Sequence, residues 1–143
     1  MLNGHTDTID WSGGKIGGMV GSTLIHSNIY GDGNDTLNVF AGADSEFTYA
    51  DNIQGLYEIN VNTGAHASTG VSLTVSGNIG TDTTHYNEIQ HLNVNENGKL
   101  ILEPTATINV ANMSVDGNDG EIPGGTVQWN MKPTIPQYGT ITA

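Results

Sequence analysis

Ile53-Gln54-Gly55-Leu56-Tyr57-Glu58-Ile59-Asn60-Val61-Asn62-Thr63-Gly64 has a partner in Ile89-Gln90-His91-Leu92-Asn93-Val94-Asn95-Glu96-Asn97-Gly98. The isoleucines stand 36 residues apart (53 to 89) and the closing glycines 34 (64 to 98), so about two residues are lost between copies. An earlier pair, Asp7-Thr8-Ile9 and Asp35-Thr36-Leu37, is offset by 28. Short alternating segments that recur at such intervals, separated by Gly/Asn/Asp turns, predict a stack of strands repeated along the chain.

Alternation continues on both sides of this pair. Ile9 and Trp11 flank Asp10, and Leu37 and Val39 flank Asn38. Val71, Leu73 and Val75 alternate with Ser72, Thr74 and Ser76; Ile108 and Val110 flank Asn109; Val127, Trp129 and Met131 alternate with Gln128 and Asn130. Period two puts the apolar members on one face of a strand and the polar members on the other. No window shows helical periodicity over three turns, and the β-branched content favours strands. The fold class expected is all-β. A parallel β-helix, or solenoid, turns each apolar face to a central core; an antiparallel β-sandwich uses the same strands with hairpin turns. The repeat offsets favour the parallel stack. Val71, Leu73, Val75, Leu92, Val94, Leu100, Leu102, Ile108, Val110, Val127 and Trp129 are its expected core. Asn60, Asn62, Asn93, Asn95, Asn109 and Asn112 fall beside apolar strand positions, where stacked asparagines form hydrogen-bonded ladders or simply face solvent.

Composition narrows the function. Fifteen Asp and Glu against three lysines (Lys15, Lys99, Lys132) and no arginine give a formal charge of −12 over 143 residues. Nucleic acid is excluded as an expected partner, because phosphate binding needs clustered bases. Anionic membrane surfaces are disfavoured for the same reason. There is no cysteine, so packing and backbone ladders carry the stability. No stretch reads as a signal peptide or as a membrane-spanning run.

Candidate chemistry is sparse. Gly31-Asp32-Gly33-Asn34-Asp35-Thr36-Leu37 resembles one turn of the calcium-binding nonapeptide repeat of RTX toxins. Carboxylate and amide oxygens suit Ca²⁺, but that roll shares each ion between successive turns and here the nonapeptide stands alone. An acidic corner before a strand is the expectation, with no tight ion at Asp32, Asn34 and Asp35. The related tetrapeptide Asp116-Gly117-Asn118-Asp119 is followed by Gly120-Glu121. Of the five histidines (His5, His26, His66, His85, His91), His85 and His91 bracket Glu88, but no zinc-ligand spacing exists. All five read as isolated surface residues. Tyr30, Tyr49 and Tyr57 would form a sugar-stacking strip if exposed and cap the core if not. No nucleophile motif occurs. No catalytic, cofactor-binding or metal-binding residue is assigned, and no cofactor is expected.

A family likeness rests on the same residues. Gly31-Asp32-Gly33-Asn34-Asp35-Thr36-Leu37-Asn38-Val39 resembles a phrase common in the passenger regions of bacterial autotransporters, the type V secreted proteins. Asp7-Thr8-Ile9-Asp10 is similar to a degenerate copy of it. Ile53 to Val61 and Ile89 to Val94 resemble the strand that follows the phrase. Gly125-Thr126-Val127 through Tyr138-Gly139-Thr140-Ile141 is similar to the segment before the translocator barrel. The resemblance implies a right-handed parallel β-helix outside a Gram-negative cell, secreted or tethered to the outer membrane. It implies a non-enzymatic role as stalk or adhesin in virulence, with a host-cell or matrix protein or glycan receptor as partner and a C-terminal translocator barrel in the full-length protein. Residues 1–143 are then one β-helical domain, an excised segment of a longer passenger. Two other classes remain: an RTX-type calcium-binding module and a β-helical carbohydrate-active enzyme of tailspike type. No capping helix is legible at either end, so self-association end to end is expected as salt is raised.

Overall fold

A computed structural model describes residues 5–80, 89–118, 122–130 and 140–142, the last three by their backbone alone. The structure is mostly strand, and its two larger sheets are parallel throughout. The first sheet runs in the order β1 (Thr8–Trp11), β4 (Ile29–Val39), β6 (Asn52–Val61), β9 (Ile89–Val94), β12 (Val110–Val115) and β14 (Thr140–Thr142). A side branch pairs β6 with β8 (Asn78–Ile79) and β8 with β11 (Thr107–Ile108). The second sheet is β5 (Glu46–Tyr49), β7 (Val71–Val75), β10 (Gly98–Leu102) and β13 (Thr126–Trp129). The chain thus alternates between the two sheets and advances one strand on each visit. A two-stranded antiparallel ribbon, β2 (Gly18–Val20) with β3 (Thr23–Ile25), lies outside both. A sandwich of antiparallel hairpins is not what forms.

Register places like on like. Leu37, Ile59, Leu92 and Met113 are successive partners on the first sheet, and Val39, Val61 and Val94 form the next row. Ile29, Ile53, Ile79 and Ile108 form a third row along the side branch. On the second sheet, Phe47, Leu73, Leu100 and Val127 form one row, and Tyr49, Val75, Leu102 and Trp129 another. Apart from Trp129, these rows make one core, to which Val127 contributes from a half-buried position. Trp11 packs against Phe47 with ring centroids 4.9 Å apart and against Tyr49 at 6.4 Å.

Trp129 departs from the expected core. It follows Leu102 in register but is 36% exposed. Its strand is an edge of the second sheet, and among the described residues no strand stacks beyond it. Met131 lies outside the described residues.

The offsets explain both what the sequence pattern captured and what it missed. Thr8 pairs with Thr36 and Ile9 with Leu37, the expected step of 28. Ile53 does not pair with Ile89, however. It pairs with Ile79, while Ile89 pairs with Val110. The true equivalence joins Ile59 to Leu92 and Asn60 to Asn93, an offset of 33. The side branch at the same level steps by only 26 (53 to 79). The surplus of seven residues falls between Ile79 and His91. Steps elsewhere on the first sheet range from 21 (92 to 113) to 29 (79 to 108), whereas the second sheet keeps 26 or 27 throughout (46 to 72, 72 to 99, 99 to 126).

Side-chain ladders run up the outside of the first sheet. Asn38 Nδ2 donates to Asp10 Oδ1 at 3.0 Å, Asn60 Nδ2 to Asn38 Oδ1 at 2.9 Å, and Asn93 Nδ2 to Asn60 Oδ1 at 2.9 Å. The Ser114 hydroxyl donates to Asn93 Oδ1 at 2.7 Å. A second run joins Asn78 Nδ2 to Asn52 Oδ1 at 2.7 Å and the Thr107 hydroxyl to Asn78. Asn60 and Asn93 therefore form the expected ladder. Asn62 and Asn95 instead hold corners, and Asn112 donates to the Gln90 carbonyl at 3.3 Å. Asn109 is buried.

Asn62 is the tightest of these corners. It is fully buried with φ 69°, in the left-handed region that asparagine tolerates better than other side chains. Its Nδ2 donates to the Thr69 carbonyl at 3.2 Å and the Glu96 carbonyl at 2.9 Å. Its own carbonyl accepts from Asn95 Nδ2 at 2.8 Å.

Two sets of substitutions test this core by urea denaturation. Leu92→Ala should destabilise the fold by ~2–5 kcal/mol, while exposed Tyr57→Ala should stay within ~0.5 kcal/mol of the parent. Asn62→Ala should lose ~3 kcal/mol through two orphaned carbonyls and a strained backbone. Asn62→Gly should recover ~1 kcal/mol of that loss, because glycine adopts positive φ freely. An alanine variant as stable as the glycine variant would show that the backbone strain is not real.

Candidate functional site: a polar groove across the second sheet

Alternation on the second sheet turns Glu46, Ser72, Lys99 and Thr126 outward as one row, because these four are successive register partners. Thr48, Thr74, Ile101 and Gln128 form the next row. A concavity of about 440 Å³ lies over the first row, with Ser45, Asn97 and Gly98 completing its walls. A second concavity of about 380 Å³ shares Ser45 and Glu46 with it and extends past Gly42 and Asp44 to Thr69. Together they make a groove that crosses the strand starts and runs along the stacking direction. Gly98 itself admits no side chain, because a Cβ there would run into the Val61 carbonyl of the first sheet.

The groove has a polarity. Asp44 and Glu46 mark one end, and Asp44 Oδ2 accepts from the Gly14 amide at 2.8 Å. Lys99 stands two strands from Glu46, about 10 Å away at normal strand spacing. Hydroxyls of Ser45, Ser72 and Thr126 and the amide of Asn97 lie around and between them. No aromatic ring lines either concavity. The arrangement suits hydrogen bonding to an extended polar chain, neutral or carrying both signs of charge.

A buried carboxylate forms a separate polar centre. Asp51 accepts from His26 Nδ1 at 2.8 Å and from the Ser27 amide at 2.7 Å. Those bonds, the histidine's first, hold its carboxyl below the ordinary carboxylate value, against the opposing effect of burial. Tyr49 lies beside it. The Tyr49 hydroxyl sits 2.7 Å from the Ser27 carbonyl oxygen and 2.9 Å from that of Asn52, with one proton to donate between them. Burial, and then the Asp51 charge, push this phenol well above its usual range.

The residues singled out in the sequence separate in space. Tyr49 is in the core, whereas Tyr30 and Tyr57 are exposed, so the three form no strip. Tyr57 meets His91 edge-on at 5.1 Å, and Phe40 stacks on His66 at 4.1 Å. His5 is exposed. His85 and Glu88 lie outside the described residues. Asp35 is buried, and its two carboxylate oxygens accept from the backbone amides of Asp7 at 2.9 Å and Asp32 at 3.1 Å. It pins a bulge in β4, where Tyr30 pairs with Gln54 but Asp35 already pairs with Leu56. Asp32 instead accepts from the Asn34 amide at 3.3 Å. Among the described residues no group of three or more His, Asp or Glu is placed to hold a metal ion.

Two features were missed in the sequence. The groove row had a faint signal: Gly98-Lys99-Leu100 and Gly125-Thr126-Val127 recur at 27 residues. The Asp51–His26 pair had none, because its members sit 25 residues apart and meet only through stacking. No protein-family model matches the chain, and neither a curated protein nor a solved structure does.

The Asp51 centre sets a pH dependence. Its folded pKa lies below the ordinary value of 3.8. Its stabilisation is therefore complete above that value and is lost as pH falls through the folded pKa. Thermal midpoints measured from neutral pH downward should fall below about pH 4, and less steeply in Asp51→Asn than in the parent. At neutral pH, Asp51→Ala should cost about 2 kcal/mol through the unsatisfied Ser27 amide.

Proposed function

We propose that this chain is a segment of right-handed parallel β-helix that serves as a non-enzymatic stalk and recognition surface outside a bacterial cell, of the autotransporter-passenger kind. The observation that carries it is the regular step of 26 or 27 residues on the second sheet. It occurs in a chain that alternates between two parallel sheets around one core. Parallel crossovers are right-handed in nearly all proteins, which gives the hand. A stack of this kind lengthens without changing its cross-section, which suits a stalk. The lack of cysteine fits a protein that crosses an envelope unfolded. The groove over Ser72 and Lys99 is the contact face, and a glycan or an extended peptide of a host-cell or matrix protein is its occupant. A formal charge of −12 sets nucleic acid aside as that occupant.

The test is adherence. Beads coated with the chain should bind host epithelial cells or immobilised matrix proteins. Ser72→Trp, which fills the groove, and Lys99→Glu should each reduce binding by about tenfold, as loss of a central contact does. Both side chains face outward, so thermal midpoints should not move. Wild-type binding to neither target, equal binding by the variants, or depolymerisation of a glycan would each overturn the reading.

A further inference from the structure

The stretch between β1 and β4 leaves both sheets and projects the β2–β3 ribbon. Gly18 pairs with Ile25, Met19 with Leu24 and Val20 with Thr23. Gly21 turns the tip with φ 63°. Met19, Val20, Leu24 and Ile25 are 43–60% exposed, in a chain that buries its other aliphatic rows almost completely. Period two puts Met19 and Leu24 on one face of the ribbon and Val20 and Ile25 on the other. The ribbon is therefore apolar on both faces.

Its base is held firmly. Asp51 binds His26 and Ser27 just after β3, and a Cβ on Gly17, just before β2, would lie 2.7 Å from Asp51 Oδ2. Lys15 Nζ donates to the Met19 carbonyl at 3.2 Å. The electrostatics are local as well. From Trp11 to Tyr30 there is no Asp or Glu, and Lys15 is one of only three strong bases in the whole chain.

We propose that the β2–β3 ribbon inserts its tip into the interfacial layer of a lipid membrane. A docked protein covers one face of a ribbon, whereas the fluid boundary between headgroups and acyl chains surrounds both. Three-residue strands reach about 10 Å, which matches that boundary and not the full bilayer. The unpaired edge amides stay at a depth where water reaches them. Lys15, at the base, lies level with the phosphates and extends its ammonium to them. The acidic body is repelled from anionic lipid, so a zwitterionic surface is the fitting partner. Four aliphatic side chains give weak, reversible attachment. This inference goes beyond the stalk reading and stands on separate residues.

The absence of native cysteine makes the test direct. Leu24→Cys and Thr48→Cys, each carrying an environment-sensitive fluorophore, are mixed with phosphatidylcholine vesicles. Emission should shift to the blue at position 24 and stay fixed at position 48 on the second sheet. In co-sedimentation, Met19→Ser with Leu24→Ser, and Val20→Ser with Ile25→Ser, should each lower vesicle partitioning by about tenfold. Circular dichroism checks that both double variants remain folded. No shift at position 24, or partitioning indifferent to both double variants, overturns the proposal. So does sensitivity to one face only together with ribbon-dependent dimers in sedimentation velocity, which would assign the ribbon to a protein partner.

Discussion

Parallel pairing in register is the constraint on which everything else depends. Once Ile59 lies over Leu37 and under Leu92, every neighbour on those strands has its partner fixed. Apolar rows then fall inward and polar rows outward without further instruction. The inward rows exclude water from the ladder. The outward rows do something additional, because an asparagine can donate downward with its amide and accept from above with its oxygen. The run from Asp10 through Asn38, Asn60 and Asn93 to Ser114 uses both capacities at each interior rung. A shift of one residue would break this run and turn every aliphatic row to solvent. Packing and polar satisfaction thus select the same register.

Corners obey a different rule. Each backbone that leaves a strand must turn while its amides and carbonyls stay paired. Asn62 does this with its side chain, which reaches one carbonyl in its own connection and one in the corner of the next level. Asp35 does it with its carboxylate, which gathers two amides at a bulge. Asp51 does it at the foot of the ribbon. All three are polar residues buried in an otherwise apolar interior. Each is tolerable there because its hydrogen bonds are made.

The strands were legible in the sequence because period two is a local signal. Nearly every aliphatic residue expected inside is inside, from Val71 to Val110. The step of 28 between Thr8 and Thr36 was legible for a related reason: the same Asp-Thr-apolar phrase opens both strands. The pairing of Ile53 with Ile89 failed because the two phrases, although neighbours, pair three residues out of that alignment, Ile59 with Leu92. Ile79 takes that place, and its short Asn78–Ile79 strand carries too little pattern to be recognised alone. Trp129 failed because alternation reports which face a residue takes but not whether anything covers that face. The groove was hidden because its four outward residues, Glu46, Ser72, Lys99 and Thr126, share no chemistry. Only the register makes them a row.

The register also determines where new function can be added. Strand positions are locked by partners on two sides, so a change there disturbs three levels at once. The connections are not locked, and the steps of 21 to 33 residues on the first sheet measure their freedom. The second sheet holds 26 or 27 over the same levels. Insertions are therefore absorbed before the chain re-enters the stack, and the core does not register them. The β2–β3 ribbon is one such addition. The ribbon carries four exposed large hydrophobic side chains, yet its base is fixed to the stack by one carboxylate. A segment attached in that way can change its tip residues without altering the register beneath it. This is the physical reason to look for binding in the projections and lips of such a stack, and for stability in its rows.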